Sequence, residues 1–392
     1  MKMKNKYIIT YCSNIFKNNN VLDLFYNLNK YKKELKGYKN ISICLSNKII
    51  KEINDKRNIE KILNWTKINK KNIPLINGFV YKNFHQKLIK EKIYYPDWTK
   101  KERLNFTKNI IFFAQKLNKK SKICGISTLP ITYNIWIKKN IKYNLKKTIN
   151  YFFDILNILM QIKKYKNILI HIDIEPEPFC FLESCKDFIY FFKLWLMPGL
   201  KKKIKTYFNI NTREATKIIA KHLNLCFDTC HSAVMFENEK KSLDLIRQLK
   251  IKIGRVQVSS AIKIKNINNK NFTHLTFLKK SPFLHQSLIK MKNLTFIKTN
   301  DFKNIKIINN NLIKEIRIHC HVPIYIKKIL KYFETTQKEL KNSLINIIKH
   351  NDTRNLEIET YTYNILYKKK NNKIKSMIKE YNWINNLIKN NI

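Results

Sequence analysis

Five short stretches in the second half of the chain place acids, imidazoles and amides on one face of a predicted strand. They are 168–178, 223–231, 253–260, 316–323 and 356–363. Alternate side chains of a strand point to opposite faces, so the polar groups of each stretch share a face. These groups are His171, Asp173 and Glu175; Cys226 and Asp228; Arg255 and Gln257; Arg317, His319 and His321; Glu357 and Glu359. Mostly aliphatic residues take the other face. Strands that deliver such groups near their C-terminal ends are typical of a parallel barrel with an active site at that end.

Three carboxylates in these stretches form a candidate metal set. Glu175, Asp228 and Glu359 each lie near the end of a different predicted strand, and a divalent ion needs carboxylates that converge with a neutral nitrogen or oxygen donor. Gln257 offers a neutral oxygen, and His231 follows Asp228 by three residues. Each of these residues taken alone has a structural explanation. A strand-end carboxylate often caps the next helix, and a single histidine often makes a hydrogen bond within the core. Several strands doing the same favour a site, because unpaired buried charges are costly without a metal or ligand.

Other candidates have equally good structural interpretations. Glu177 and Glu183 follow the strand at 168–178, where a further acid would serve as a base, but the neighbouring prolines also suit a fixed loop. His85 ends the third predicted strand, and His285 belongs to an LHQ segment. They are candidates for substrate binding or a second metal, as are Glu177, His319 and His321. With 5 glycines the chain contains no phosphate-cradling loop, so a nucleotide cofactor is not implied.

Strand-like and helix-like segments alternate along the whole chain, which predicts βα units and a parallel sheet. Further strands are expected near 7–12, 41–45, 73–78 and 123–127, and the clearest helices at 102–118, 145–164, 211–222, 240–250 and 335–349. Nine strands are one too many for an eight-stranded barrel. We expect the HCH segment at 319–321 to be the extra one, lying over the barrel mouth. The prediction is an α/β fold, a (β/α)8 barrel of one domain over 1–392, with an insertion of about 260–325 between strands seven and eight.

The composition excludes disorder, collagen and coiled coil, because 44% of the 392 residues are hydrophobic. The net charge of +51 suggests a nucleic-acid binder at first. However, only seven of the 78 basic residues are Arg, and Lys, Asn and Ile are raised while Gly is low. A+T-biased coding produces the same pattern. We therefore do not expect nucleic acid as a partner.

The eight cysteines form no CxxC pair, which indicates neither a zinc ribbon nor a disulfide framework. Cys230 beside His231 lacks an orienting third residue for a nucleophile. The start MKMKNKYIITYCSN has only a short apolar run, typical of a strand and not of a secretory signal. No stretch reaches the ~18 apolar residues of a membrane span. A soluble, cytoplasmic protein is expected.

Three segments resemble the xylose-isomerase-like TIM-barrel superfamily, which contains sugar isomerases, ketose epimerases and endonuclease IV. IEP at 174–176 is similar to its strand-five metal glutamate, DTCH at 228–231 to its aspartate with a nearby histidine, and IET at 358–360 to its strand-eight glutamate. DTCH, and HCH paired with the terminal glutamate, are most similar to endonuclease IV. Gln257 stands where sugar epimerases place a metal histidine, which argues against a simple epimerase.

Within that superfamily the chain most resembles the EboE family, the "metabolite traffic" proteins of bacterial ebo gene clusters. The landmarks are TYCSN (10–14), NGFVYKNFH (77–85), EKIYYPDWTKKERL (91–104), GISTLP (125–130), IEPEPFCFLE (174–183), CFDTCHSAVMFE (226–237), GRVQVSSA (254–261), FLHQ (283–286), HCHVP (319–323), TTQ (335–337) and EIETYTY (357–363). The resemblance implies a cytosolic barrel that acts in making or exporting a small metabolite, with other proteins of an ebo-type cluster as partners.

Three functions remain open at this point. The first is a metal-dependent isomerase, epimerase or lyase acting on a small polyhydroxylated metabolite. Glu175, Asp228, Gln257 and Glu359 would then hold a divalent ion (Zn, Mn or Mg), and Glu183 or His231 would move the proton. The second is an endonuclease IV-like phosphodiesterase with two or three metals, built with His85, His319 and His321. The third is a non-catalytic metabolite carrier or assembly partner.

Overall fold

The computed structural model describes residues 6–35, 37–83, 90–117, 122–265, 274–279, 281, 283–305, 310–329, 333–363 and 372–391. Its strands are numbered β1 to β14 and its helices α1 to α14 in chain order.

Eight parallel strands form the centre of the molecule. They are β1 (Ile8–Tyr11), β2 (Asn40–Cys44), β3 (Asn72–Asn77), β4 (Ile123–Thr128), β5 (Leu169–Ile174), β6 (Leu223–Asp228), β7 (Ile253–Val258) and β14 (Asn355–Ile358). Each pairs with its neighbours in the order β1-β14-β7-β6-β5-β4-β3-β2. A parallel bridge between Cys12 and Ser42 joins the two ends of this order. The sheet is therefore a nearly closed barrel, and the predicted fold class is confirmed.

The alternation of side chains along each strand explains why the barrel forms. In β5 the side chains of Ile170, Ile172 and Ile174 are fully buried in the main apolar core. The intervening His171 and Asp173 are also buried but belong to the barrel interior, where they contact each other. Burying aliphatic side chains against the outer helices is the main favourable term in such a layer. The same alternation directs polar groups inward.

Helices cover the barrel, apart from α12 (Thr276–Lys279), which packs in the apolar core of the segment inserted between β7 and β14. They are α1 (Val21–Glu34), α2 (Asn47–Ile53), α3 (Lys56–Ile68), α4 (Lys101–Leu117), α5 (Asn134–Ile137), α6 (Ile141–Lys166), α7 (Cys185–Phe191), α8 (Met197–Phe208), α9 (Thr212–His222), α10 (Thr229–Val234), α11 (Glu239–Gln248), α12 (Thr276–Lys279), α13 (Gln337–His350) and α14 (Asn372–Lys389). The five helices singled out in the sequence are confirmed as α4, α6, α9, α11 and α13. No helix among the described residues is long and apolar enough to cross a membrane.

A second sheet is inserted between β7 and β14. Its strands are β8 (Ser260–Ile264), β9 (Ser287–Met291), β10 (Phe296–Thr299), β11 (Ile313–Val322), β12 (Lys328–Ile329) and β13 (Phe333–Thr335). They pair in the order β10-β9-β11-β8-β13-β12, and all pairs are antiparallel. The HCH segment lies in β11, outside the barrel, as predicted. The sheet continues beyond the expected limit of about 325, because β12 and β13 complete it on the far side of β8.

Candidate metal centre

The three carboxylates proposed as metal donors converge at the C-terminal end of the barrel. Glu175 follows β5, Asp228 ends β6 and Glu359 follows β14. One oxygen from each lies within 4.8 Å of the others, and the three residues are 3–5% exposed. The strand ends of a parallel barrel meet at one face, which is why positions far apart in sequence come together.

Asp228 has one oxygen held by the protein and one left over. Oδ1 accepts hydrogen bonds from the backbone N–H of Cys230 at 2.6 Å and of His231 at 3.0 Å, and from Ser259 Oγ at 2.9 Å. It therefore caps α10. Oδ2 is buried without a hydrogen-bond partner among the described residues and lies 3.9 Å from His321 Nε2. A buried carboxylate oxygen of this kind fits a metal donor.

The other two carboxylates are also unfavourably placed as isolated anions. Burial raises the pKa of Glu175 well above its usual range, and the neighbouring Glu359 and Asp228 raise it further. Burial likewise raises the pKa of Glu359, to which Glu357 and Asp228 add. Two amides orient Glu359, because Asn14 and Asn77 donate to its Oε1 at 2.5 and 3.2 Å. A divalent cation would remove both the repulsion and much of the desolvation cost.

Three imidazoles meet beside the carboxylates. The Nε2 atoms of His231 and His319 are 3.0 Å apart, those of His319 and His321 3.1 Å, and those of His321 and His231 3.3 Å. His231 comes from α10 at the barrel end, whereas His319 and His321 come from β11 of the inserted sheet. The imidazole set is therefore assembled from both sheets. One donor atom each from Asp228, His231 and His321 also lies within 4.8 Å of the other two, so the two sets adjoin.

The opposite ring nitrogens show which atoms carry protons. Each Nδ1 faces an oxygen that accepts: Pro176 O from His231 at 2.9 Å, Gln286 Oε1 from His319 at 2.8 Å, and Glu359 O from His321 at 2.9 Å. Nδ1 therefore bears the hydrogen, and in a neutral ring Nε2 bears a lone pair. Burial lowers the pKa of His319 well below its usual value and that of His321 to about 4, so both are neutral near pH 7.

Lone pairs of neutral imidazoles that point at one another repel unless a cation, a shared proton or a bridging water lies between them. Zinc binds imidazole nitrogen at ~2.0–2.1 Å, and tetrahedral ligands at that distance are about 3.3 Å apart. The observed separations of 3.0–3.3 Å are close to this value. Carbonyl acceptors on the far ring nitrogens are also the usual second partners of metal-binding histidines. The imidazole set thus fits a metal ion by donor type, spacing and tautomer.

Two further predicted residues lie near these sets. Gln257 is fully buried between the strands of Asp228 and Glu357, and neither of its amide atoms has a partner in the described part of the chain. Glu177 Oε1 accepts a hydrogen bond from Tyr94 OH at 2.7 Å. One Glu177 oxygen and one ring nitrogen each of His231 and His319 lie within 4.8 Å of one another. Burial raises the Glu177 pKa.

The remaining candidates have other surroundings. Glu183 Oε2 lies 2.5 Å from Nζ of the half-exposed Lys298 and is not among the converging donors. His285 lies behind His319 and donates from Nδ1 to the His319 carbonyl at 2.8 Å. Burial lowers the pKa of His285 to about 4. His85 falls outside the described residues.

A buried ion-pair network lies in the barrel below the carboxylates, and sequence reasoning gave it no role. Arg255 donates from Nε to Asp173 Oδ2 at 3.0 Å and from Nη1 to Glu357 Oε2 at 2.8 Å. His171 Nδ1 lies 2.6 Å from Asp173 Oδ1, and Ser42 donates to Glu357. One cation thus compensates two carboxylates in the interior. The available signal was the inward position of an arginine between two acidic strands.

The residues that support the donors were also missed. Asn14, Asn77, Tyr94 and Gln286 all contact Glu359, Glu177 or His319. They lie in the sequence landmarks at 10–14, 77–85, 91–104 and 283–286. Neutral amides and a phenol carry no obvious chemistry in a sequence, so only their presence in those landmarks marked them.

Comparisons with known proteins found solved structures only. No family model matches the sequence, and no curated protein matches it. The IolI protein with a binding zinc atom is 13% identical, with a TM-score of 0.48, covering 98% of this chain and 99% of that one. A xylose isomerase domain protein from Planctomyces limnophilus is 8% identical, with a TM-score of 0.48 and 98% of both chains covered. An AP endonuclease of family 2 from Brucella melitensis is 10% identical, with a TM-score of 0.39, covering 64% of this chain and 79% of that one.

Proposed function

We propose that this protein is a metal-dependent enzyme that acts on a small polyhydroxylated metabolite and binds divalent ions at two adjacent positions. The observation that carries the proposal is the imidazole set, whose three Nε2 atoms face one another at 3.0–3.3 Å. A cation between these nitrogens would offset the repulsion of neutral imidazoles that face one another at this distance.

The two donor sets suit different ions. Glu175, Asp228 and Glu359, with the Gln257 amide nearby, offer the oxygen donors that suit Zn, Mn or Mg. His231, His319 and His321 offer the nitrogen donors that suit zinc. A bound ion would polarise a carbonyl or hydroxyl oxygen of the substrate.

We assign the proton-moving role to Glu177. Its carboxylate is buried beside the imidazole set, its pKa is raised by burial, and Tyr94 orients it. His231 is less suited because both of its ring nitrogens are engaged: Nδ1 is hydrogen-bonded to Pro176 O, and Nε2 faces His319 Nε2. Glu183 is less suited because it pairs with Lys298. An acid with a raised pKa matches general base or acid catalysis near neutral pH.

The size of the cavity supports a small substrate. The space lined by Glu175, Glu177, the imidazole set and Glu359 has a volume of about 40 Å³, and these donors are 2–6% exposed. Such a space admits ion-sized and water-sized groups.

A second candidate function is phosphodiester hydrolysis of the endonuclease IV kind. It is favoured by the shared neighbourhood of Asp228, His231 and His321, which places the two donor sets side by side. Paired metal sites that stabilise both the attacking and the leaving oxygen are typical of phosphatases and nucleases.

The cellular role that we propose rests on the sequence landmarks alone. Their similarity to the EboE family supports a cytosolic place in the synthesis or export of a secondary metabolite, alongside other proteins of an ebo-type cluster. A carrier that binds such a metabolite without turnover is the corresponding non-enzymatic role.

Metal analysis and isotope exchange test the proposal together. The purified protein, reconstituted with zinc and dialysed, is expected to retain two ions per chain, and the double variant His319→Ala with His321→Ala is expected to lose one of them.

The loaded protein is then incubated in D2O with aldoses, ketoses and inositols, and incorporation of deuterium at carbon is followed by proton NMR. Incorporation supports isomerase, epimerase or lyase chemistry, whereas cleavage of bis(p-nitrophenyl) phosphate supports the second candidate. Tight metabolite binding without either reaction supports the carrier, and absence of retained metal refutes the proposal.

A further inference from the structure

Gln286 accepts two hydrogen bonds from one member of the imidazole set, His319. Its backbone carbonyl accepts from the N–H of His319 at 2.8 Å, and its side-chain Oε1 accepts from Nδ1 of the same histidine at 2.8 Å. Gln286 is fully buried and His319 is 4% exposed. Both the strand position and the ring orientation of His319 are therefore set by one neighbour.

A backbone carbonyl fixes the orientation of the Gln286 amide. Nε2 of Gln286 donates to Pro178 O at 3.2 Å, and a carbonyl oxygen only accepts. The amide nitrogen must therefore face Pro178, which turns Oε1 toward His319. Nδ1 of His319 must then carry the hydrogen, and Nε2 is left with the lone pair that faces His231 and His321.

The same amide continues the chain of hydrogen bonds into the barrel. Gln286 Nε2 also lies 2.6 Å from Tyr94 OH, so the phenol oxygen accepts and its own hydrogen goes to Glu177 Oε1 at 2.7 Å. Tyr94 is 1% exposed, and its ring stacks on Tyr133 at 5.2 Å, which holds the hydroxyl in place. Each hydrogen bond in this series is donated in the same direction, from His319 in the inserted sheet toward Glu177 in the barrel.

We propose that Gln286 is the positioning residue that selects the metal-binding tautomer of His319, and that Tyr94 carries the same hydrogen-bond direction to Glu177. The inference rests on the proposed function for its consequence, since the lone pair on Nε2 is needed only where that atom binds a metal. The assignment of the tautomer itself does not depend on a metal.

NMR of the metal-free protein tests the tautomer directly. Long-range ¹H–¹⁵N correlation of the wild type is expected to show His319 with its hydrogen on Nδ1, and an Nε2 hydrogen would overturn the proposal. In Gln286→Leu the Nε2 tautomer of His319 is expected to appear. His222, whose Nδ1 faces Ile170 O at 2.6 Å, provides an internal control that should not change.

Cobalt(II) titration tests the consequence for binding. Gln286→Leu is expected to weaken cobalt binding by about 10–100-fold, the usual effect of losing such a supporting contact. Gln286→Glu keeps an oxygen for Nδ1 but loses the donor to Pro178 O. It is expected to retain the Nδ1 tautomer, which a merely structural role would not predict. Tyr94→Phe should leave the His319 tautomer unchanged.

The outcomes separate the two proposals. A wild type that binds no cobalt but shows the Nδ1 tautomer contradicts the proposed function and leaves the role of Gln286 in tautomer selection standing. Equal losses of affinity in Gln286→Leu and Gln286→Glu, with the tautomer unchanged in both, overturn the positioning role.

Discussion

Asp228 shows how one side chain serves the fold and the site at once. Its Oδ1 caps α10 through two backbone N–H groups, whereas its Oδ2 faces His321 without a hydrogen-bond partner in the described chain. Helix capping and metal binding are alternative explanations of a strand-end carboxylate in a sequence. In the structure Oδ1 makes the cap and Oδ2 is the oxygen that the proposed metal would use, so the cap would orient that donor.

Asp228→Asn separates the two roles. An amide oxygen can replace Oδ1 as the cap, since Asn is as good a capping residue as Asp, but the amide nitrogen that replaces Oδ2 cannot bind a cation. We expect the variant to fold with nearly wild-type stability and to retain less metal per chain, measured by thermal unfolding and elemental analysis. The matched control is Asn211→Ala, which removes the cap of α9, a helix that contributes none of the candidate donors. It costs about 1 kcal/mol and should leave metal content unchanged. Full metal content in Asp228→Asn would exclude Oδ2 as a donor.

Gly254 is required by the ion-pair network beneath the site. A methyl group on its Cα would lie 1.8 Å from Asp173 Oδ1 and 2.9 Å from His171 Nδ1. Neither neighbour can move freely, because Asp173 is held by Arg255 and His171.

Gly254→Ala is therefore expected to destabilise the protein by at least the ~1–3 kcal/mol of ordinary overpacking. Chemical denaturation measures the difference. Gly37→Ala is the matched control, because no atom lies within 4 Å of the added carbon, and it should be nearly neutral. Equal stability of the two variants would mean that the network adjusts without cost.

At the scale of elements, the barrel could be predicted from the sequence because its strands repeat one local pattern. Aliphatic residues alternate with polar ones, and helices with 3.6-residue periodicity separate the strands. The count of nine such strands showed that one was surplus, and the long link at 260–315 before the HCH segment indicated which one. The end of the inserted sheet could not be predicted, because β12 and β13 are short and depend on pairing with each other and with β8.

The carboxylate set could likewise be predicted from local patterns in the sequence, whereas the imidazole set could not. Convergence of Glu175, Asp228 and Glu359 follows from the geometry of parallel strands, so it was predictable. The meeting of His231 with His319 and His321 depends on how the inserted sheet packs on the barrel, which no local pattern encodes. The lysine partner of Glu183 arises in the same way, from the β9–β10 hairpin.

Helix α14 ties three segments of the site together through Glu380. Its Oε1 accepts from Thr360 Oγ1 at 2.7 Å and from the N–H of Ile324 at 3.2 Å, and its Oε2 accepts from Tyr11 OH at 2.7 Å. Thr360 is next to Glu359, and Ile324 follows the HCH strand. All three partners are neutral, and burial raises the pKa of Glu380 to about 7.

This raised pKa predicts that the stability of the folded protein decreases as the pH rises. The folded state binds the Glu380 proton more tightly than the unfolded chain, so its contribution is complete below pH 4.5 and is lost as pH rises through about 7. The loss is about 3 kcal/mol at 1.36 kcal/mol per pKa unit. In Glu380→Gln this part of the pH dependence should disappear, as measured by urea unfolding between about pH 4.5 and 8. Glu60→Gln, on the exposed side of α3, should keep the wild-type slope, and an unchanged slope in Glu380→Gln would contradict the assignment.

At the scale of the whole molecule, the dominant feature is the net charge of +51. Such a charge attracts any polyanion, whatever the function of the protein. The carboxylates and imidazoles proposed as metal donors, however, are 2–6% exposed, so the charged surface and the candidate site are separate features. Binding of nucleic acid and action on nucleic acid must therefore be distinguished by their salt dependence.

We expect DNA to bind this protein only through screened surface charge. Fluorescence anisotropy with a short duplex should show binding at ~0.05 M salt that weakens by several orders of magnitude by ~0.2 M, as counterion release requires. An intact duplex, a duplex with one abasic site and heparin should all show the same trend, because Lys side chains on a surface read charge and not structure. A preference for the abasic duplex that survives ~0.2 M salt and disappears in Asp228→Asn would connect the surface to the metal donors. It would make phosphodiester hydrolysis the better description of the site.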